Sequence, residues 1–427
     1  MNNKKVAFHT LGCKLNFSET STIAREFSKN GYERVSFDSY KADYYVINTC
    51  TVTENANKEC RKLIRKIKRK NKKSYVLVTG CYAQLKPAEI MGMPGVNSVV
   101  SNSNKNHIFD IISNEKENFL CHSEIDSNMF YKSFSSGDRT RSFLKIQDGC
   151  DYKCTFCTIP MARGSSRNQS ISGIINQAKE IIDKGVNEIV LTGVNIGDFG
   201  KSTDETFFDL IKELEKIKSK IRIRISSIEP NLLTKEIIDF LSSSKKFLPH
   251  FHIPLQSGSN KILQLMRRRY DNSKYFNCIE YLKNNIPNVC IGADVIVGFP
   301  GETEIDFLES FNFIKKLNLA YLHVFSYSNR ENTKSIKMRN QNSINVIKNR
   351  SKMLRTYSNK INLNFKINQI NKSSKVLFES MNNGYVTGLS ENYIKVQVEG
   401  DKSLLNTVLK TKLTSLNNDL MIGKVTN

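Results

Sequence analysis

Three cysteines near the middle of the chain have a spacing that suits an iron–sulfur cluster. Cys150, Cys154 and Cys157 form a C-x3-C-x2-C pattern, and Phe156 stands directly before the third cysteine. Thiolates this close together on a loop can bind three irons of a [4Fe–4S] cluster, which leaves the fourth iron open to a substrate. A structural zinc site is a weaker interpretation, because it needs a fourth ligand and no Cys or His follows within the next dozen residues.

Three further cysteines are predicted to meet at one edge of a parallel sheet. Cys13, Cys50 and Cys81 each follow a short apolar segment that has the pattern of a strand. The segments are residues 5–10, 43–48 and 75–79. The carboxyl ends of parallel strands share one edge of a sheet, so the three thiols are expected to converge. They could hold a second cluster with an open iron, or they could be three independent thiols packed in the core.

Alternating apolar and helical patterns predict an α/β protein with three folded units. Residues 1–117 predict a parallel α/β sheet, and residues 118–138 have the composition of a linker. Six strand–helix units in residues 139–368 predict a partial (β/α)6 barrel, because a complete barrel of eight units needs more chain. Short strands with Gly and Asn turns in residues 369–427 predict a small β-barrel.

The charge and hydropathy of the chain restrict its partners. Lys and Arg number 64 against 41 Asp and Glu, which gives a formal net charge of +23. A surface this basic favours nucleic acid as a partner, although a proteome biased toward Lys and Asn would also produce the excess. The chain has neither an apolar run long enough to span a bilayer nor an apolar segment at its N-terminus. These features predict a cytoplasmic protein with no membrane partner.

The cysteine pattern around Phe156 resembles the signature of the radical S-adenosylmethionine (SAM) enzymes. That resemblance implies a cluster whose open iron chelates the amino and carboxylate groups of SAM. It also implies that an electron from the cluster cleaves SAM to a 5′-deoxyadenosyl radical, which makes Cys150, Cys154 and Cys157 the catalytic cysteines.

Five residues of the predicted barrel are candidate contacts of SAM. They are Phe156, Gly193, Glu229, Gln256 and Asp294. Gly193 lies in a Thr-Gly-Val-Asn segment that resembles the radical SAM motif contacting the SAM amino group. Glu229 could equally lie on a surface turn. Asp294 stands in an apolar strand, where a buried carboxylate needs a partner, so it has a structural or a ligand-binding role.

Four sequence blocks together resemble the methylthiotransferase family over essentially the whole chain. The blocks are TLGCKLN (10–16), NTC (48–50), GCYAQ (80–84) and CxxxCxxC…PxARG (150–164). The resemblance implies that Cys13, Cys50 and Cys81 hold an auxiliary [4Fe–4S] cluster and that the C-terminal unit is a TRAM-like, RNA-binding domain. It implies two [4Fe–4S] clusters and SAM as cofactors.

The Lys14-Leu15-Asn16 ending of the first block resembles one branch of that family. This branch adds a methylthio group at C2 of N6-threonylcarbamoyladenosine at tRNA position 37. Expected partners are therefore the tRNA anticodon stem-loop, an electron donor such as a flavodoxin or ferredoxin, and a sulfur source. The alternatives are the same reaction on N6-isopentenyladenosine and, more remotely, a non-catalytic RNA-binding iron–sulfur protein.

Arg163 and Arg167 follow the central cysteines directly and are candidate substrate-binding residues. Their guanidinium groups could hold the carboxylate of the threonylcarbamoyl group through paired hydrogen bonds. The alternatives are a phosphate contact or a salt bridge to SAM.

Overall fold

Six parallel strands form the sheet of the N-terminal unit. The computed structural model describes residues 4–51, 54–115, 118–126, 129–137 and 139–426. The strands are β1 (Lys5–Thr10), β2 (Glu33–Arg34), β3 (Tyr44–Thr49), β4 (Tyr75–Gly80), β5 (Ser98–Val100) and β6 (Phe119–Cys121). Their order in the sheet is β2-β1-β3-β4-β5-β6. The strand β6 lies within residues 118–138, where the sequence predicts a linker, and it extends the sheet by pairing with β5.

Helices cover both faces of this sheet. They are α1 (Lys14–Lys29), α2 (Glu54–Lys70), α3 (Cys81–Leu85), α4 (Pro87–Met91) and α5 (Ile108–Ser113). Tyr45 and Ile47 of β3 pack in one apolar cluster with α2 and α4, while Tyr44 and Val46 pack in another with α1 and α5. Because both faces are buried, every residue of β3 and β4 is buried, which explains their nearly continuous apolar sequences.

The central unit is an open barrel of six parallel strands, as predicted. Eight strands are described in this unit: β7 (Arg141–Lys145), β8 (Gln147–Asp148), β9 (Arg167–Asn168), β10 (Glu188–Thr192), β11 (Arg222–Ile225), β12 (His250–His252), β13 (Cys290–Val297) and β14 (Tyr321–Ser326). The short β8 and β9 pair with each other in a separate antiparallel sheet, and the other six strands form the barrel. The strands β7, β10 and β11 form one half and β12, β13 and β14 the other, and a parallel bridge between Ser227 and His252 joins the halves. Within the described residues no strand pairing joins β7 to β14, so the barrel is open on that side.

Eight helices belong to the central unit. They are α6 (Ile159–Arg163), α7 (Ile171–Asp183), α8 (Phe207–Lys216), α9 (Lys235–Ser243), α10 (Asn260–Leu265), α11 (Asn272–Asn285), α12 (Glu304–Leu317) and α13 (Ile344–Ile367). Several begin at a side chain that accepts a hydrogen bond from the first turn, for example Ser170, Thr206 and Thr303. None of the described helices is long and apolar enough to cross a membrane.

The C-terminal unit is a closed barrel of five strands, which confirms the predicted fold class. The strands are β15 (Ser373–Asn382), β16 (Tyr385–Ser390), β17 (Lys395–Glu399), β18 (Val408–Asn417) and β19 (Leu420–Val425), in the closed order β15-β16-β17-β19-β18. Val376, Phe378, Val396 and Met421 are fully buried in its small core.

Candidate active site

The central trio (Cys150, Cys154 and Cys157) lies on the loop between β8 and α6. Gly149 starts this loop with a φ of +70°, and a Cβ atom there would lie 1.9 Å from the carbonyl oxygen of Ser165. Only glycine allows this close return of the chain. The Cys150 N–H donates to the Gly164 carbonyl at 2.9 Å, which ties the start of the loop to the end of α6.

The surroundings of these thiols suit metal-bound thiolates. The backbone N–H of Tyr152 donates to Cys150 Sγ at 3.4 Å, and that of Ile159 donates to Cys157 Sγ at 3.4 Å. Burial raises the pKa of Cys150 and of Cys157 to about 12, and the neighbouring thiols add to the rise. Thiolates at such sites need cationic partners, so the donor set fits an iron–sulfur cluster and does not suit free nucleophilic cysteines.

Arg268 connects the central trio to Glu229. Its Nη1 donates to Cys154 Sγ at 3.3 Å, and its Nη2 donates to the Glu229 carboxylate. Burial raises the pKa of Glu229, and Arg268 opposes that rise. Glu229 therefore lies beside the cluster loop and not on a surface turn. The sequence does not predict this contact, because Arg268 stands in an Arg-Arg-Arg run whose charge suggests contacts with RNA instead.

Gly193 lies close to the same loop through Gln147. A Cβ atom at Gly193 would lie 2.9 Å from the Gln147 carbonyl oxygen and side-chain oxygen. Gln147 Oε1 accepts hydrogen bonds from the N–H groups of Val194 and Asn195, while its Nε2 donates to the Gly149 carbonyl at 2.8 Å. Gln147 thus holds the segment after β10 next to the loop of the central trio. No sequence motif marks this residue, because only the fold brings the two segments together.

The other three predicted SAM contacts line one cavity in the barrel. This lumen cavity, of about 180 Å³, is bordered by Phe156, Gln256, Asp294 and Arg330. The sequence predicted three of the nine residues that line this cavity and did not indicate Arg330. The structure therefore divides the five candidates: Phe156, Gln256 and Asp294 share a cavity, while Gly193 and Glu229 border the cluster loop.

Two histidines are the partners of Asp294, whose side chain is partly exposed. His252 Nε2 lies 2.9 Å from Asp294 Oδ1, and His323 Nδ1 lies 3.4 Å from the same oxygen. Burial raises the pKa of Asp294, but the hydrogen bonds from both imidazoles outweigh it and hold the pKa well below its usual range. The three groups lie close enough together to hold a metal ion. The carboxylate therefore has two side-chain partners, as its place in an apolar strand requires.

The N-terminal trio (Cys13, Cys50 and Cys81) lies at the carboxyl edge of β1, β3 and β4. The strand register pairs Thr10 with Asn48 and Thr49 with Gly80, which puts the three strand ends at one level. Cys13 precedes α1, Cys50 follows β3 and Cys81 begins α3. The parallel register therefore brings the three strand ends that precede these cysteines to one edge of the sheet.

Gly12 packs closely against Cys50 at this edge of the sheet. A Cβ atom at Gly12, whose φ is +103°, would lie 2.9 Å from Cys50 Sγ. Asn102 Nδ2 lies 3.8 Å from Cys81 Sγ and donates to the Ala162 carbonyl of α6 at 2.7 Å. Asn102 thus connects the N-terminal trio to the helix that follows the central trio. The donor set of three thiols at one edge fits a cluster with an open iron.

A buried network of charges joins the two units behind these trios. Arg163 Nη1 donates to Glu19 at 3.1 Å and to Asp148 at 2.9 Å, and its Nη2 donates to Asn16. Lys145 Nζ donates to Glu19 at 2.9 Å. The last residue of the first sequence block, Asn16, is therefore bonded to the arginine of the last block.

This network corrects the role predicted for Arg163 and Arg167. Both side chains are buried, and the terminal nitrogens of Arg163 are used by Glu19 and Asp148. Arg167 donates to the carbonyls of Met129, Arg163 and Ser165 and pairs with Asp148. Arg163 bonds across the domain interface to Glu19 and Asn16, whereas Arg167 bonds to Asp148 and to backbone carbonyls. Each guanidinium group pairs with a carboxylate of the protein itself, a partner that the sequence alone does not reveal.

Two protein-family models match this chain, and each of them covers one of the two cysteine-bearing units. The model of the Radical SAM superfamily matches residues 144–314, which contain the central trio. A second model, described as Uncharacterized protein family UPF0004, matches residues 5–101, which contain the N-terminal trio.

Similar proteins cover nearly the whole chain. The threonylcarbamoyladenosine tRNA methylthiotransferase MtaB of Bacillus subtilis is 40% identical over 421 residues, covering 96% of this chain and 93% of the relative. The tRNA-2-methylthio-N(6)-dimethylallyladenosine synthase of Lachnoclostridium phytofermentans is 31% identical over 441 residues, covering 97% and 94%. Among solved structures, the radical SAM methyltransferase TsrM of Kitasatospora setae aligns with a TM-score of 0.56 at 12% identity, covering 76% of this chain and 73% of that one. That likeness supports the fold alone.

Proposed function

This chain belongs to the radical SAM methylthiotransferase family, and from that premise we propose its substrate and reaction. It inserts a methylthio group at C2 of N6-threonylcarbamoyladenosine at tRNA position 37. The observation that carries this proposal is the 40% identity, over nearly the full length, to a relative named for that substrate. The relative named for the dimethylallyl substrate is less similar, at 31% identity.

We assign the two thiol trios to two [4Fe–4S] clusters. Cys150, Cys154 and Cys157 hold the cluster that binds SAM, and the N-terminal trio holds the auxiliary cluster. Bound clusters and SAM supply the radical chemistry needed at the unactivated C2–H of adenine, which no protein side chain provides. Support comes from the N–H groups that donate to the central sulfurs and from the shared sheet edge of the N-terminal trio.

The chain's own residues position the reactants. Phe156, Gln256 and Asp294 border the lumen cavity and are proposed to hold SAM there, while Gly193 and Glu229 contact it beside the central trio. Asn102 and the charge network fix the spacing of the two trios, because they bind both units with buried hydrogen bonds. The adenine base of the tRNA enters between the two trios.

We expect two surfaces of the protein to contact RNA. An opening of about 830 Å³ beside Cys150 is bordered by Lys153, Arg267 and Arg269, and the Arg269 guanidinium lies 3.9 Å from the centre of the Tyr152 ring. Arginine and aromatic side chains of this kind bind phosphates and stack on unpaired bases. The closed C-terminal barrel is proposed to bind the rest of the anticodon stem-loop. A cytoplasmic location, an electron donor such as a flavodoxin or ferredoxin, and a sulfur source complete the proposal.

Nucleoside mass spectrometry of tRNA tests this function. In a host strain lacking its own enzyme of this kind, expression of the chain is expected to restore 2-methylthio-N6-threonylcarbamoyladenosine and to leave isopentenyladenosine unchanged. Methylthiolation of isopentenyladenosine instead would contradict the substrate. The same strain expressing a Cys150→Ala, Cys154→Ala, Cys157→Ala variant serves as the control, and no methylthio product of either kind is expected there.

A further inference from the structure

Arg330 is a buried cation at the junction of the two cysteine-bearing units. It follows β14 and is 7% exposed. It borders the lumen cavity together with Phe156 and Gln256. It also borders an interface cavity of about 220 Å³, whose lining includes Thr51, Glu54, Arg61 and Thr158. The side chain therefore lies between the proposed SAM site and the loop that follows Cys50.

The hydrogen bonds of Arg330 leave part of its charge uncompensated. Nη2 donates to the Thr51 carbonyl, and Nη1 lies 3.3 Å from Glu54 Oε2. Glu54 is 45% exposed and forms its shorter bond, of 2.7 Å, with Arg61. Among the described residues the buried Nε of Arg330 has no hydrogen-bond partner. Burial lowers the pKa of Arg330, and Glu54 and Cys50 offset this only in part.

Another buried arginine shows how the chain normally satisfies such a group. Arg350 also leaves its Nε without a partner, but its Nη1 bonds to the buried carboxylate of Glu302 at 2.7 Å. Arg350 borders neither cavity. A buried guanidinium with only a solvated carboxylate nearby carries a desolvation cost that a bound anion would offset. Arg330 thus has the properties of an anion-binding residue.

We propose that Arg330 binds the carboxylate of the threonylcarbamoyl group and so selects this substrate over adenosines that lack an acid. This inference rests on the proposed function. The C2 atom and the N6 substituent of adenine lie on the same edge of the ring, on either side of N1. A residue that holds the N6 substituent must therefore lie beside the group that delivers sulfur to C2. Arg330 meets that condition, because its Nη2 binds the residue directly after Cys50.

The methionyl group of SAM also carries a carboxylate, which is the other candidate ligand for Arg330. The lumen cavity that Arg330 borders also contains the proposed SAM contacts Gln256 and Asp294. The two sources predict different results, because loss of Arg330 would weaken either RNA selection or SAM affinity. The test below measures both.

The experiment compares dissociation constants for two anticodon stem-loops that differ only at position 37, one with N6-threonylcarbamoyladenosine and one with adenosine. Wild type, Arg330→Met and Arg330→Lys are loaded with clusters and measured anaerobically by fluorescence anisotropy. We expect Arg330→Met to bind the modified stem-loop about tenfold to a hundredfold more weakly, with unchanged affinity for the unmodified one. Arg330→Lys should lose part of the preference, since an ammonium group cannot form the paired hydrogen bonds.

Lys86→Met is the matched control, because Lys86 borders the same interface cavity but is paired with Glu331. It should keep the wild-type preference. SAM affinity, measured by equilibrium dialysis, should be unchanged in all variants. Iron content checks that the clusters remain; if Arg330→Met loses iron, Arg330→Lys provides the comparison.

Three results would overturn the inference. They are a full preference in both Arg330 variants, a weaker affinity for SAM with the RNA preference intact, and a wild-type protein that binds both stem-loops equally. None of these results touches the tRNA mass-spectrometry outcome. A wrong role for Arg330 can therefore be distinguished from a wrong substrate for the enzyme.

Discussion

At the scale of single residues, glycines with positive φ decide where the cysteines lie. Gly12, Gly80 and Gly149 each stand next to a cysteine of one of the trios and have φ values of +103°, +100° and +70°. At Gly80 a Cβ atom would lie 2.4 Å from the backbone N and O of Thr49. The close approach of β3 and β4 between Cys50 and Cys81 therefore requires a residue without a side chain.

Gly80→Ala is expected to disrupt the N-terminal trio and spare the central one. The clash with Thr49 should cost about 2–4 kcal/mol of unfolding free energy, since backbone atoms cannot move aside locally. Iron analysis of anaerobic protein should fall from about eight to about four irons per chain. Gly31→Ala is the control, because Gly31 has a φ of +82° with no atom within 4 Å of the added Cβ. It should cost about 1–2 kcal/mol and keep the iron. Unchanged iron in Gly80→Ala would contradict this account.

At the scale of elements, α1 connects the two cysteine-bearing units. It begins directly after Cys13 and carries Asn16 and Glu19 on its buried side. Glu19 accepts hydrogen bonds from Lys145 at the end of β7, from Arg163 at the end of α6 and from Lys105. Burial raises the pKa of Glu19, but these cations outweigh it and hold the pKa well below its usual range. One helix therefore fixes the N-terminal trio relative to the barrel.

Glu19→Gln is expected to destabilise the protein by about 3–5 kcal/mol, because it leaves three buried cations without their shared carboxylate. Thermal or denaturant unfolding of the cluster-loaded protein measures the change. Glu180→Gln is the control, since Glu180 forms an exposed pair with Lys184 that should contribute less than about 1 kcal/mol. Equal effects of the two substitutions would show that the Glu19 network does not stabilise the interface.

At the scale of the whole molecule, the C-terminal barrel docks on the amino ends of the central strands. Arg224 donates to the Ser390 and Glu391 carbonyls, and the His250 ring stacks on Tyr393 with 4.2 Å between centres. His250 Nε2 also lies 2.9 Å from the Tyr321 hydroxyl. Burial lowers the pKa of His250 well below its ordinary value, and the neighbouring Arg224 adds to the effect. The folded protein therefore keeps this histidine neutral.

This docking predicts an acid dependence of stability. The unfolded chain protonates His250 near pH 6.5 and the folded protein does not, so the unfolded state binds more protons below that pH. The contribution of neutral His250 to the free energy of unfolding is complete above about pH 6.5. It is lost as the pH falls further, by up to about 1.4 kcal/mol per pH unit. His250→Phe should flatten the slope of unfolding free energy between pH 6.5 and 5, while His107→Gln at the exposed surface should not. An unchanged slope in His250→Phe would contradict the prediction.

Local patterns in the sequence predicted the fold class correctly. Strand and helix periods extend over only a few residues, and the strands β1, β10 and β13 have the predicted bounds. The positions of Cys13, Cys50 and Cys81 after parallel strands follow from the same patterns, because the geometry of a parallel sheet is general. The cluster-ligand assignments remain predictions that the iron analysis tests.

The start of α1 illustrates where local pattern misleads. Ser18 has the residue type of an N-cap, and the sequence predicts the helix to begin there. In the structure the helix begins at Lys14, and the Ser18 hydroxyl bonds back to the Leu15 carbonyl and contacts Ser133. Packing of α1 against the barrel extends the helix, a cause that lies more than a hundred residues away in the chain.

The sequence by itself predicted the types of element and drew attention to the six cysteines, since both depend on patterns within short segments. Only the tertiary structure decided the partners of the charged side chains. It buries Arg163 against Glu19, pairs Asp294 with His252 and places Arg330 between two cavities. The physical reason is that the effect of a charge depends on its desolvation and on its nearest opposite charge, and folding sets both over distances that no local pattern encodes.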